Sequence, residues 1–205
     1  MNDFRRMFPK VEILFLGATF GGIFPILCFL IGWWGSISIL PEESIRYAAL
    51  AGLLVGIVID ILFLKKWILN AYRMDLKWLA VLYLFYSVGL FGFFMGVPVF
   101  NLLLGLFAGF YMGLRAADAG KSREEAEVNF NKTGFFTSFI LAVACTAALW
   151  LASTDSSTAA NINGMLALRQ PLTQQGIMTV SVVGGVVMVV LEFFITRGVA
   201  RWAYK

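Results

Sequence analysis

The chain has 205 residues, of which 60% are hydrophobic and only 14% are charged, and its net charge is +4. A soluble domain carries about 45–50% apolar and about 25% charged residues, so this composition excludes an ordinary globular domain and predicts an integral membrane protein. Histidine is absent and the two cysteines share no metal-binding spacing, so the sequence indicates no cofactor and no metal site. The basic residues lie at the ends of apolar runs, where they set orientation, so the positive charge indicates no nucleic-acid partner.

Six apolar runs are long enough to cross a bilayer, which takes about 20 apolar residues each. The third and fourth form one stretch of about 40 residues, and GVPVFN at 96–101 breaks it because a glycine and Pro98 end one helix before the next begins. Pro25 favours a kink in the first run. The predicted fold is all-α, a polytopic membrane bundle of six transmembrane helices in a single domain, 1–205. The predicted spans are about 13–34, 47–64, 76–95, 99–116, 135–152 and 176–196.

The basic residues are distributed unevenly between the two sides of the membrane. Fourteen Lys and Arg residues fall on the side that holds both termini, against Arg46 and Arg169 on the other. This asymmetry predicts cytoplasmic N- and C-termini, and we expect the plasma (inner) membrane. Tryptophan prefers the membrane interface, and all six lie at predicted span ends. They are Trp33, Trp34, Trp67, Trp78, Trp150 and Trp202.

Two connecting segments are long. The segment 117–134 is charged and predicted to be cytoplasmic, and Ser122 followed by Glu125 fits a capping box, which predicts a short helix there. The segment 153–175 is rich in Ser, Thr and Asn and is predicted to be an external connector.

The second span contains a carboxylate within an apolar run, VGIVIDILFLKK at 55–66. Gly52, Gly56 and Asp60 are spaced by four and therefore lie on one side of a helix. Small residues mark faces where membrane helices pack closely, so Asp60 is predicted to face the bundle and not lipid.

The sixth span repeats this arrangement, because Glu192 shares a helix side with Ser181 and Gly185. The second and sixth spans run in the same direction, so Asp60 and Glu192 are predicted at similar depth. A shared cavity would let the two acids carry a proton or bind a cation. The alternative is that each acid reaches the interface or pairs with a nearby Lys or Arg.

The fourth span has the most regular pattern in the chain. Asn101, Gly105, Gly109 and Gly113 recur every four residues, which permits close backbone contact with a neighbouring helix, within the chain or in an oligomer. Asn101 is predicted at the external mouth of this face, where its amide would bind a partner helix or a solute.

The sequence leaves three functions open. The first is a small transporter or channel-like protein that moves a cation, a proton or a small solute, with Asp60, Glu192 and Asn101 as the binding residues. The second is a non-catalytic subunit of a larger membrane complex, which binds a partner subunit or another copy through the Gly105–Gly109–Gly113 face. The third is a membrane enzyme acting on a lipid, for which no set of catalytic residues is visible.

Overall fold

The structure is a computed structural model that describes residues 9–94, 96–154 and 173–205. These residues contain α-helices, two short 3-10 helices at Ala71–Arg73 and Pro98–Asn101, and no strand. The helices are α1 (Pro9–Gly21), α2 (Ile23–Ser36), α3 (Glu42–Asn70), α4 (Leu76–Phe93), α5 (Leu102–Asp118), α6 (Arg123–Thr154) and α7 (Gln174–Tyr204).

Six helical segments are long and apolar enough to cross a membrane, which confirms the predicted all-α fold class and the number of potential spans. They are Lys10–Ser36, Glu42–Arg73, Leu76–Phe93, Pro98–Asp118, Arg123–Thr154 and Gln175–Tyr204. The side of the membrane on which the termini lie stays a prediction.

Many large apolar side chains lie on the outside of these helices. Leu14, Ile61 and Phe194 are 74%, 77% and 62% exposed. A monomeric soluble protein rarely exposes continuous apolar surface, whereas a membrane helix presents such residues to lipid. The outer surface therefore agrees with the composition in indicating a membrane protein.

By its internal contacts the chain divides into two compact units, Met1–Met74 (unit 1) and Asp75–Lys205 (unit 2). The predicted single domain stays a prediction, and each unit is described by itself. Unit 1 pairs α2 with α3 in antiparallel fashion through glycines that allow the backbones to meet. Gly32 lies against the Ala48 carbonyl, Gly52 against the Cys28 carbonyl, and Gly56 against the Phe24 carbonyl.

The first span is interrupted near its middle. Gly22 separates α1 from α2 while keeping a helical conformation, with φ −83° and ψ −19°. Proline has no N–H, so Pro25 cannot donate to the carbonyl of Gly21, four residues earlier. Pro25 therefore removes the helical hydrogen bond at the Gly21 carbonyl, whereas the next carbonyl, that of Gly22, keeps its bond from the Ile26 N–H at 3.3 Å. The kink predicted at Pro25 stays a prediction.

In unit 2, α5 and α7 run parallel and very close together. The contacts between them advance along both helices, joining Gly105 to Glu192, Gly109 to Thr196 and Gly113 to Ala200. Helix α6 runs antiparallel to α7, since Gly134 lies against Phe193 while Cys145 lies near Gly185. Alternating spans of one chain must run in opposite directions, so these directions agree with the predicted threading.

The break at 96–101 and the capping box are both present. Gly96 has a left-handed φ of +82°, and the chain turns there before the 3-10 helix that leads into α5. Ser122 N–H donates to Glu125 and Glu125 N–H donates to Ser122, at 3.2 and 3.3 Å. The short helix predicted after Ser122 is not separate, however, because it continues into the fifth span as one helix of 32 residues. The predicted external connector at 153–175 lies outside the described residues, except at its ends.

Candidate functional site

The carboxyl of Glu192 lies in the interior of unit 2. Glu192 has no exposed surface. The hydroxyl of Tyr83, on α4, donates to Glu192 Oε1 at 3.1 Å, while Oε2 has no hydrogen-bond partner. On α5 the carboxyl rests directly against Gly105, where a Cβ atom would overlap both carboxyl oxygens. Only glycine at position 105 leaves room for the acid in this place.

No basic side chain in the described part of the chain forms an ion pair with Glu192. Arg197, which follows it on α7, instead contacts Glu127 at 3.3 Å, and Arg201 binds the same carboxylate at 2.6 Å. An unpaired carboxylate in a low-dielectric interior is unfavourable by several kcal/mol. Neutralising the charge of this carboxyl would therefore remove an unfavourable contribution. The alternative interpretation, an acid at the interface paired with Arg197, does not fit this geometry.

Asn101 lies one helical turn from Gly105 and is also buried, at 1% exposure. Its side-chain NH₂ donates to Ser87 Oγ at 2.7 Å and to the Ser87 carbonyl at 3.2 Å. Its own carbonyl oxygen, Oδ1, has no hydrogen-bond partner. Asn101 thus lies inside unit 2, not at an open mouth of the glycine face, with one acceptor unused.

Two threonines lie next to Glu192 on the side away from Asn101. Thr196 is one helical turn further along α7, and Thr137 on α6 also interacts with the Glu192 carboxyl. The hydroxyls of Thr137 on α6 and Thr196 on α7 are 3.1 Å apart, and both residues are fully buried. The adjacent Ser138 is buried as well, and its hydroxyl has no partner. Hydroxyl groups both donate and accept hydrogen bonds, so they can relay a proton or supply oxygen ligands to a cation.

Together these side chains form a row of polar groups through unit 2, which we call the polar row. It has three levels that follow the parallel packing of α5 and α7, and successive levels are one turn or about 5.4 Å apart. Ser87 and Asn101 form the first level, Tyr83 and Glu192 the second, and Thr137 and Thr196 the third. All of these residues are buried except Tyr83, which is half-buried. Polar and ionisable groups inside a membrane bundle often mark an ion or proton path.

Asp60 occupies a comparable position in unit 1. It is 8% exposed, and its buried Oδ1 has no hydrogen-bond partner. Its Oδ2 lies 3.6 Å from the position that a Cβ of Gly21 would take. The acid therefore faces the interrupted first span, with its carboxyl next to a glycine as Glu192 is next to Gly105.

The glycines predicted to serve helix packing lie at helix contacts within the chain. Gly52 and Gly56 face α2, and Gly105, Gly109 and Gly113 face α7. A partner subunit that bound through the Gly105–Gly109–Gly113 face would have to displace α7. The shared cavity for Asp60 and Glu192 stays a prediction, because the two residues belong to separate units.

Sequence reasoning found Glu192, Asp60 and Asn101 but missed their hydrogen-bonding neighbours. These neighbours carried a weak signal, since each is a hydroxyl residue inside an apolar span, and all but Thr137 are spaced by four from another member of the row. They are Tyr83 and Ser87 on α4, Thr137 on α6 and Thr196 on α7.

A groove lies between α6 and α7, and Glu192 is not among its lining residues. Its volume is about 320 Å³, and Cys145, Thr146 and Ser181 are its polar or polarisable members among apolar residues. Such a groove has the shape and chemistry to receive an acyl chain or the side of another helix.

Comparisons with models of known protein families, with curated proteins and with solved structures find no match to this chain. The described residues also contain no group of three His, Cys, Asp or Glu side chains placed to hold a metal ion. The class that the fold defines is a helical protein with six potential membrane spans.

Proposed function

We propose that the chain is a small membrane transporter or channel-like protein that moves a proton, another cation or a small solute. The two carboxyls, Glu192 in unit 2 and Asp60 in unit 1, bind the moving charge. In this proposal both termini lie in the cytoplasm. The observation that carries it is the carboxyl of Glu192, which is fully buried within a membrane-crossing helix without a basic partner among the described residues.

The reason for favouring transport is energetic. An acid at this place costs several kcal/mol in a membrane bundle, and packing alone would be served as well by glutamine or leucine. The neighbours of Glu192 are neutral donors and acceptors that stabilise both its charged and its neutral form. A carboxyl that exists in both forms at modest cost can take up an ion and release it again. The polar row supplies steps for that ion on both sides of Glu192.

The test is flux through the purified chain in liposomes. Proton movement is followed with an internal pH-sensitive dye under an imposed membrane potential, and sodium or potassium movement with isotope uptake. We expect flux above that of empty liposomes for the natural chain and a fall to the empty-liposome level for Glu192→Gln. Glu124→Gln is the matched control, because Glu124 is an exposed residue in the first turn of α6. Equal flux in the natural chain and in Glu192→Gln would remove Glu192 from the mechanism.

A second function, that of a subunit in a larger membrane complex, is favoured by the groove between α6 and α7. Next to its lining residue Gly185, the backbone at Gly184 is open, with no atom within 4 Å of a Cβ placed there. A glycine with open space above it beside a groove is a typical site for helix–helix contact in membranes. Purification in mild detergent would then recover a stoichiometric partner, and Gly184→Leu would release it. A chain that moves ions alone and binds no partner contradicts this function.

A further inference from the structure

The carboxyl of Asp60 lies beside a place where the first span lacks a helical hydrogen bond because of a proline. Gly21 ends α1, and the next helix, α2, begins at Ile23. Pro25 has no N–H and cannot donate to the Gly21 carbonyl, so this oxygen is without its usual helical donor. On the facing helix, Asp60 Oδ2 lies 3.6 Å from the Cβ position of Gly21.

The carbonyl of Gly21 and the carboxyl of Asp60 lie at the same level of the α1–α3 contact. The carbonyl points along the helix axis toward Pro25, and Pro25 packs against Gly56, one turn before Asp60 on α3. Side chains of a helix lean toward its N-terminus, so the carboxyl of Asp60 leans toward the level of Gly56. Both oxygens are therefore directed into the interval between the Gly21 and Pro25 contacts.

Both groups are hydrogen-bond acceptors when Asp60 is ionised, and Asp60 Oδ1 has no donor among the described residues. Two facing acceptors without a donor are unfavourable where water is scarce. Among the described residues none forms an ion pair with Asp60. The other ionisable residues on the helices packed there form no ion pair or hydrogen bond with Asp60 in the described part of the chain. Glu12 accepts from the Tyr72 hydroxyl at 2.8 Å, and Cys28 is a free thiol beside Gly52. The basic residues are exposed, and they are Lys10, Lys65, Lys66 and Arg73.

We propose that Asp60 and the Gly21 carbonyl form a proton-binding site, in which the protonated carboxyl donates its hydrogen to the carbonyl that Pro25 leaves without a donor. A proton turns one of the two acceptors into a donor and satisfies both groups at once. A divalent metal ion needs about six oxygen ligands, and this place supplies one carboxyl and one carbonyl. The proposal rests on the proposed function in treating Asp60 as a functional acid, and it names the proton as the ligand in unit 1.

Binding and release of this proton change how α1 packs on α3. The proton comes from water and returns to water, and the carboxyl alternates between acid and carboxylate. In the acid form a hydrogen bond joins the two helices at the interruption. In the carboxylate form the two acceptors face each other, which favours separation of α1 from α3 at that point. Proton binding at Asp60 is thereby linked to the geometry of the first span.

Infrared spectroscopy of the purified full-length chain in lipid tests this site without measuring flux. A protonated carboxylic acid has a carbonyl stretching band that a carboxylate lacks. We expect such a band at neutral pH, shifting on exchange into heavy water and lost in Asp60→Asn. The variant Pro25→Ala supplies an N–H to Gly21, so the band should move to the higher frequency of a weakly hydrogen-bonded acid. Asp75→Asn, which removes an exposed aspartate, should leave the band unchanged.

The outcomes separate this inference from the proposed function. Loss of an acid band in Asp60→Asn and its shift in Pro25→Ala support the proton site, whatever the flux of the chain. Absence of any acid band that depends on Asp60 overturns it, even if Glu192→Gln abolishes flux. Replacement of the acid band by a carboxylate band when sodium is added at constant pH also overturns it, because the site would then take a metal cation. If Asp60→Asn does not fold, an unshifted band in a folded Pro25→Ala still contradicts the proposal.

Discussion

The close contact of α5 with α7 holds Glu192 in place, and the substitution Gly109→Ala tests that contact. A Cβ at position 109 would overlap the carbonyl oxygen of Thr196 and lie 3.1 Å from its carbonyl carbon. These are backbone atoms, so no side chain can rotate away to make room. The two helices must separate at the turn that follows Glu192.

The size of the effect follows from two opposing contributions. Forcing an extra carbon into a close-packed contact costs about 1–3 kcal/mol. Alanine is a better helix former than glycine and returns about 0.5–1 kcal/mol. The matched control is Gly184→Ala, because a Cβ at that position meets no atom within 4 Å and receives the helix-forming gain alone. The difference between the two variants is therefore about 1–3 kcal/mol, or roughly five- to 150-fold in the unfolding equilibrium constant.

Reversible unfolding in mixed detergent micelles, followed by circular dichroism, measures this difference. We expect Gly109→Ala to unfold at lower denaturing-detergent concentration than the natural chain, and Gly184→Ala at the same concentration or higher. Equal stability of the two variants would show that α5 and α7 do not meet at Gly109, and the position assigned to Glu192 would then be wrong as well.

Three further predictions concern groups around the polar row. Asn101→Ala removes the donors to Ser87 and should destabilise the chain by about 1–3 kcal/mol in the same unfolding assay. The control Asn129→Ala removes an amide that is only half-buried and bonds within α6, and it should have a smaller effect. Thr196→Val leaves the Thr137 hydroxyl without its neighbour and should lower the free energy of unfolding by about 1 kcal/mol. Adding Thr137→Val should lower it little further, and fully additive losses would contradict the contact. Glu127→Gln weakens partly exposed ion pairs with two arginines and should cost no more than about 1 kcal/mol, an effect that high salt should reduce.

The pattern of apolar residues was sufficient to predict the fold class and the number of spans, because a bilayer imposes a minimum length on every crossing segment. The turn at Gly96 and Pro98 and the capping box at Ser122 were predicted correctly, since both depend on local chemistry. The span ends were less accurate. Helix α6 begins at Arg123, well before the apolar run, because the helix started by the capping box continues without a break into the membrane segment.

The candidate site was only partly predictable. Asp60 and Glu192 stand out because acids are rare within apolar runs. The spacing of the small residues on each helix indicated which face of its own helix each acid occupies. The sequence does not reveal that Gly105 and Glu192 lie at the same level, since this depends on the register between α5 and α7. The hydrogen bond from Tyr83 joins residues 109 positions apart, so no local pattern predicts it.

The central claim is that the buried carboxyl of Glu192, held by Tyr83, binds the ion that the chain moves. A double-mutant cycle on the initial rate of flux in liposomes tests it most directly, using Tyr83→Phe, Glu192→Asp and the two together. Shortening the acid withdraws it from the hydroxyl, so we expect each single variant to slow flux and the double variant to be no slower than Glu192→Asp alone. A double variant slowed by the product of the two single effects, or single variants as fast as the natural chain, would contradict the account.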